Sequence, residues 1–200
     1  MRKIIWMMSV SVDGFIEGPN RELGWQMVNE ELHNHFNEAI SKMGVALEGR
    51  VMHELMARVW PTADTDPASL LQAGERGLLR PTVEFARIWR DIPKMVSSRT
   101  LQRADWNATI LRDVVPQEIQ KLKAQPGGDL LLGGADLAAA FLRHDLIDEF
   151  RIYVHPVVIG QGKPLSPSGG AQLKFRLGGT RAFSNGVVLL RYQRADLETQ

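Results

Sequence analysis

Near the amino terminus, Ile4-Ile5-Trp6-Met7-Met8-Ser9-Val10 runs almost unbroken in apolar residues. No period divides the stretch into a wet and a dry face. A strand buried on both faces accounts for it, and such strands lie mid-sheet in α/β folds. Similar segments recur. Val45-Ala46-Leu47 ends at Gly49-Arg50, Lys94-Met95-Val96 leads into Ser97-Ser98-Arg99, and Leu130-Leu131-Leu132 runs into Gly133-Gly134. Ala108-Thr109-Ile110-Leu111 is a further strand, followed by a short helix with Pro116 near its start.

Helical patterns lie between these strands. Leu32, Phe36, Ala39, Ile40 and Met43 share one helix face, and Gly44 sits where a C-terminal cap belongs. Val51, Met52, Leu55, Met56 and Val59 suggest a short helix stopped by Pro61. Residues 61–91 are the least legible. A polar loop precedes a mostly helical stretch from Ala68 to Trp89, interrupted by Gly74, Gly77 and Pro81. Long connections of this kind tend to be binding loops or lids. Later, Phe150, Ile152 and Val154 alternate with Glu149, Arg151, Tyr153 and His155, the pattern of a half-buried strand. Gln172 to Leu177 alternates too, and Ser184-Asn185-Gly186 reads as a hairpin turn into Val187–Tyr192. The expectation is one α/β domain over residues 1–200. Its central, mostly parallel sheet is flanked by helices and closed by an antiparallel C-terminal hairpin.

Composition removes several classes of function. Hydrophobic residues make up 44% and charged residues 24%, as in soluble globular proteins. The longest apolar run, Leu137 to Leu142, is far short of the about 18 residues a membrane helix needs. The apolar run behind Arg2-Lys3 is too short for a signal peptide. With no cysteine there is no disulfide, thiolate nucleophile or Cys-ligated metal, and cytoplasmic residence is the expectation. A net charge of +1 gives no case for nucleic acid. His33 and His35, two apart, point to different helix faces and cannot share a metal, so they read as solvated. No metal site is expected. His155 reads as structural, and Asp145, Asp148 and Glu149 as a surface turn into a strand. From Lys163 to Arg194 there are six basic residues and no acidic ones. That bias fits a solvated strand face or part of an anionic-ligand field.

The candidate chemistry sits at strand ends. At Gly133-Gly134 a buried strand meets a helix, so a ligand can approach the main chain closely and meet free helix N–H groups. Arg50 after Gly49 could aim a guanidinium fork at a phosphate. Ser97, Ser98 and Arg99 follow another strand. In open α/β sheets, ligands bind at the carboxyl ends of the strands.

These residues carry a resemblance. Ser9-Val10-Ser11-Val12-Asp13-Gly14-Phe15-Ile16, Gly24-Trp25, Gly49-Arg50, Lys94 to Leu101, Gly133 to Leu137, Leu146 to Glu149 and Pro156 to Leu165 follow one another in order. Together they resemble the dihydrofolate reductase-like superfamily, nearest the riboflavin-biosynthesis reductase domain of the bifunctional deaminase-reductase and its stand-alone relatives. The resemblance implies NADPH as cofactor. Gly49, Arg50, Ser97, Ser98 and Arg99 would hold its adenosine end and 2′-phosphate. Gly133, Gly134, Ala135, Asp136 and Leu137 would hold the pyrophosphate, with the nicotinamide near Val10 and Ser11. The substrate, a pyrimidine- or pterin-like heterocycle, would be bordered by Asp13 and Trp25. Asp13 and Glu30 are the candidate catalytic carboxylates, and Glu31 lies beside Glu30. There are departures. Relatives usually carry Thr two residues after the Arg of Gly-Arg, where this chain has Met52. They usually carry Phe after Pro164-Leu165, where it has Ser166-Pro167-Ser168-Gly169-Gly170. Dihydrofolate reductase activity, resting on Glu30, and a non-catalytic nucleotide-binding protein, suggested by Met52, are the alternatives. No deaminase segment is expected ahead of the first strand. Relatives are commonly dimers, and a homodimer through the strands after residue 148 is expected.

Overall fold

The first apolar run forms β1 (Ile4–Ser11), with Ile4, Ile5, Trp6 and Met7 all buried. It pairs in parallel with β6 (Leu130–Gly133) on one side and β7 (Glu149–His155) on the other, and both its faces are dry because side chains pack on each side of the sheet. Chain order continues from β1 through β2 (Phe15–Glu17), α1 (Glu30–Ser41), β3 (Val45–Gly49) and α2 (Arg50–Val59). Next come α3 (Pro67–Glu75), α4 (Leu79–Asp91), β4 (Lys94–Ser97), β5 (Ala108–Leu111) and α5 (Pro116–Ala124). After β6, α6 (Ala135–Arg143) leads to β7, β8 (Lys163–Pro164), β9 (Phe175–Ala182) and β10 (Val188–Arg194). This computed structural model describes residues 1–166 and 172–195. Most of the Ser166–Gly170 departure therefore lies outside the described residues.

The sheet order is β5-β4-β3-β6-β1-β7-β10-β9. Its first six strands are parallel, and β10 runs antiparallel to both β7 and β9. This is the α/β architecture expected, with its antiparallel end. One face packs Ile4, Trp6, Leu130 and Leu132 against Ile119 of α5 and Phe141 of α6. The other packs Ile5, Met7 and Tyr153 against Leu32 and Phe36 of α1. A two-stranded ribbon of β2 and β8 lies outside the main sheet.

Local chemistry sets the helix starts. Asn29 Oδ1 accepts from Leu32 N–H at 3.0 Å to begin α1, and Asp66 caps α3 through Ser69 N–H at 2.8 Å. Pro81 does not break α4, because it occupies the first turn, where the missing N–H has no intrahelical partner. Gly44 lies beyond the α1 cap, Lys42. It is small because the Gly128 backbone crosses it: a β-carbon at 44 would sit 2.7 Å from Gly128 O.

Three expectations change. β7 is buried on both faces, because Phe150 and Ile152 pack with Trp6 and Phe141 on one side and α1 covers Tyr153 on the other; even Glu149 and His155 are interior. Glu149 survives there by pairing with Arg151 at 2.7 Å and Arg191 at 3.3 Å. Asp148 likewise ties Ile4 N–H and Lys123 rather than marking a plain surface turn. The alternation from Gln172 belongs to a strand that starts only at Phe175 and runs on through Gly178-Gly179 to Ala182. The C-terminal basic bias is largely neutralised. Lys163 pairs with Asp136, Arg181 with Glu31, Arg191 with Glu149 and Arg194 with Asp145.

Candidate active site

A cavity of about 990 Å³ opens at the carboxyl ends of β1, β3, β4 and β6. The connection from β3 returns through α4, which packs on α1, while α6 leaves β6 toward the opposite face. The crevice between these exits is where such sheets bind ligands.

One lobe is polar. Gly49, Arg50, Ser97, Ser98, Arg99, Gly133, Gly134, Ala135, Asp136 and Leu137 all line it, so the three separate strand ends meet around one space. Both α2 and α6 start here from a glycine cap, Gly49 and Gly134, with no side-chain cap hydrogen bond. Their first-turn N–H groups therefore face the cavity unspent. Gly134 has φ +87°, a conformation open to glycine at little cost. The cationic groups are held by carboxylates. Arg50 Nη1 lies 2.9 Å from both oxygens of Glu54, Arg99 Nη2 lies 2.8 Å from Asp113, and Lys163 Nζ lies 2.6 Å from Asp136. Met52 lies over the glycine turn, its sulfur where a Gly133 side chain would begin.

The other lobe is apolar and aromatic. Met7 from β1, Phe36 and Ile40 from α1, Met56 and Trp60 after β3, and Leu78 and Phe85 around α4 form its walls. Its polar groups include His33, Arg76 and Thr82. His33 is not solvated, as the spacing argument had it. It is buried, edge-on to Trp60 at 6.0 Å and to Phe85 at 5.9 Å, and burial lowers its pKa. His35 does face elsewhere, 3.1 Å from Tyr153 Oη.

Five expected site residues do not line the cavity. Val10 points into the core with α6 and its neighbours. Ser11 is buried, and its Oγ accepts from Phe15 N–H at 3.0 Å, closing the turn after β1. The cavity-side residues of β1 are instead Met7, Met8 and Ser9. Asp13 faces the 156–162 loop and accepts from Gly160 N–H at 2.7 Å and Ile159 N–H at 3.3 Å. Its hydrogen bonds, Ser11 first, hold its carboxyl below the usual range. Trp25 donates from Nε1 to Glu22 O at 3.1 Å and lies edge-on to His155. Glu30 is exposed at the first position of α1. Its neighbour Glu31 accepts from Ser184 N–H and Arg181, tying the hairpin turn to the helix.

The RibD C-terminal domain model matches residues 2–189. The chain belongs to the RibD C-terminal domain family. Uncharacterized protein YyaP of Bacillus subtilis is 34% identical over 192 residues, covering 96% of this chain and 94% of that protein. A protein of Shewanella sp. PV-4, provisionally assigned to riboflavin biosynthesis, superposes with a TM-score of 0.74. Its identity is 19%, with 98% of this chain and 100% of the other covered. Dihydrofolate reductase from Enterococcus faecalis, solved with NADP(H), gives 0.62 at 12% identity, with 97% of each chain covered. At such identities the two structures establish the fold, which is dihydrofolate reductase-like.

In this RibD C-terminal domain the wall that sequence reasoning missed comes mostly from the illegible stretch. Trp60, Arg76, Leu78, Thr82 and Phe85 all lie between residues 60 and 85. The length of that connection was the available signal. His33 was hidden differently. It shares the α1 stripe with Phe36 and Ile40, and a stripe of that kind reads as plain core.

Proposed function

We propose that the protein is an NADPH-dependent reductase of a pyrimidine- or pterin-like heterocycle, working as a homodimer in the cytoplasm. The observation that carries the reading is the joining of two unlike lobes in one cavity. A polar lobe with two uncapped helix starts and two arginines suits a phosphorylated dinucleotide. An aromatic-walled lobe beside it suits a flat ring.

The residues present fit the cofactor. The φ +87° glycine and free N–H groups at Ala135, Asp136 and Leu137 offer a pyrophosphate cradle. Arg50 and Arg99, with Ser97 and Ser98, offer charge-assisted bonds to a 2′-phosphate. NADPH, when bound, supplies a hydride. The chain's own part is to orient and to keep dry. Met7, Phe36 and Trp60 flank the ring and exclude water, while the first turns of α2 and α6 hold charge at the other end. The free edge of β9, with Phe175 and Leu177 exposed, supports the dimer. The absence of cysteine suits a reducing compartment. Glu30, on which dihydrofolate as substrate would rest, does not line the cavity, so the pyrimidine reading is preferred.

The test is NADPH oxidation followed at steady state against a panel of pterins and aminopyrimidines. Turnover with at least one aminopyrimidine is expected. Tight NADPH binding with no turnover across the panel would instead identify a nucleotide-binding protein.

A further inference from the structure

His33 is 8% exposed, yet it lines the cavity, and its Nε2 makes no hydrogen bond among the described residues. The fold decides which ring nitrogen carries the proton. Asn37, one turn further along α1, is buried, and its Nδ2 donates to Pro81 O and to Glu84 Oε2, both at 2.9 Å. Two acceptors on that side leave the amide only one satisfied orientation. It must turn Oδ1 toward His33 Nδ1, 3.2 Å away. Nδ1 therefore donates, and Nε2 keeps a lone pair. Burial, the largest influence, lowers the pKa of the ring; its hydrogen bonds to the backbone and to Asn37, and the charge of Glu84, favour protonation, Arg76 opposes it, and the net shift is downward. Trp60 and Phe85, both edge-on, fix the plane of the imidazole. The cavity thus shows an oriented acceptor on a buried residue, in a lobe walled mostly by apolar and aromatic groups with Arg76 and Thr82 as further polar members.

We propose that His33 is the specificity residue of the substrate lobe: its Nε2 accepts a hydrogen bond from a ring N–H or exocyclic amine of the bound heterocycle. An acceptor left unpaired in an apolar site is costly, so rings lacking such a donor are rejected. This assignment rests on the reading of the apolar lobe as the heterocycle site.

The experiment uses two probes of the same ring, 2,4-diaminopyrimidine, which carries donors, and unsubstituted pyrimidine, which carries none. Affinities are measured by calorimetry on wild-type protein and on His33→Phe, which retains an aromatic ring between Trp60 and Phe85. NADPH affinity is measured alongside, as a readout of the polar lobe. Wild type should prefer the diamino ring by about tenfold or more, the worth of one good hydrogen bond. His33→Phe should lose that preference while NADPH affinity stays unchanged. An undiminished preference in His33→Phe would overturn the role of His33 and leave the heterocycle reading standing. Failure of both rings to bind wild type that still binds NADPH would overturn the heterocycle reading and this inference together. If His33→Phe does not fold, wild-type protein labelled with 15N-histidine carries the test. A ring protonated on Nδ1 should shift its bare Nε2 resonance on adding 2,4-diaminopyrimidine. Absence of any such shift would overturn the assignment.

Discussion

Met52 covers Gly133 so closely that a β-carbon on the glycine would meet the Met52 sulfur at 2.6 Å. The glycine is small here because a side chain lies above it, and it also lines the cavity. Gly133→Ala should push the flexible thioether aside at little cost to the fold, because only the far end of Met52 has to move. The new methyl would then narrow the pyrophosphate cradle. NADPH affinity should fall about tenfold or more while the melting temperature changes little. Met52→Thr removes the cover and adds a hydroxyl donor, so it should tighten NADPH binding. Fluorescence titration of the cofactor with both variants checks this, and a large loss of melting temperature in Gly133→Ala would refute the packing argument.

Arg50 and Arg99 approach the polar lobe already paired with carboxylates. Exposed pairs of this sort are weak and give way to a phosphate. NADPH should therefore be preferred over NADH, and Arg50→Ala should erode the preference by about tenfold to a hundredfold. Glu54→Gln frees Arg50 and should strengthen NADPH binding by about twofold to fivefold at low salt. Equal wild-type affinity for the two cofactors would defeat the assignment of the 2′-phosphate site.

His155 gives the protein an acid-sensitive point. The ring is fully buried, its Nδ1 accepts from Met27 N–H at 3.0 Å, and its Nε2 has no partner among the described residues. Burial pushes its pKa from 6.5 down to about 4. The unfolded chain therefore binds a proton between pH 6.5 and 4 that the folded chain refuses. The stabilisation is complete above pH 6.5 and is lost as pH falls toward 4, amounting to about 3 kcal/mol at most. His33 and His35, shifted the same way by burial, add to the slope. His155→Asn keeps an acceptor for Met27 N–H and cannot titrate. Denaturant melts across this window should show a shallower pH dependence in that variant; an identical slope would rule His155 out as a source.

Asp13 and Glu30 should separate from catalysis. Asp13→Ala breaks the bonds to Ile159 and Gly160 N–H, so it should lower the melting temperature by loosening the loop after β7. Glu30→Gln changes a residue that does not itself line the cavity and whose side chain makes no hydrogen bond or ion pair among the described residues. Both variants should keep kcat/KM within about twofold of wild type. A selective loss of kcat/KM with unchanged melting temperature would return either carboxylate to the reaction.

The polar lobe was legible residue by residue. Gly49-Arg50, Ser97-Ser98-Arg99 and Gly133-Gly134 announce themselves because a strand end followed by a helix start is a local event, written in consecutive residues. The double burial of β1 was legible for the same reason. The α/β class then followed from the succession of such units. Other features depend on what covers a segment. β7 alternates like a half-wet strand, yet it is interior because α1 lies against its Tyr153 face. Asp13 reads as a cleft carboxylate, but its turn faces a loop 146 residues away in the chain. His33 sits in an ordinary apolar stripe, and only the approach of Pro81 and Glu84 to Asn37 settles its tautomer and leaves Nε2 with its lone pair. Strand, turn and helix start are decided by neighbours in sequence, whereas burial, pairing and proton position are decided by neighbours in space, which only the folded chain supplies.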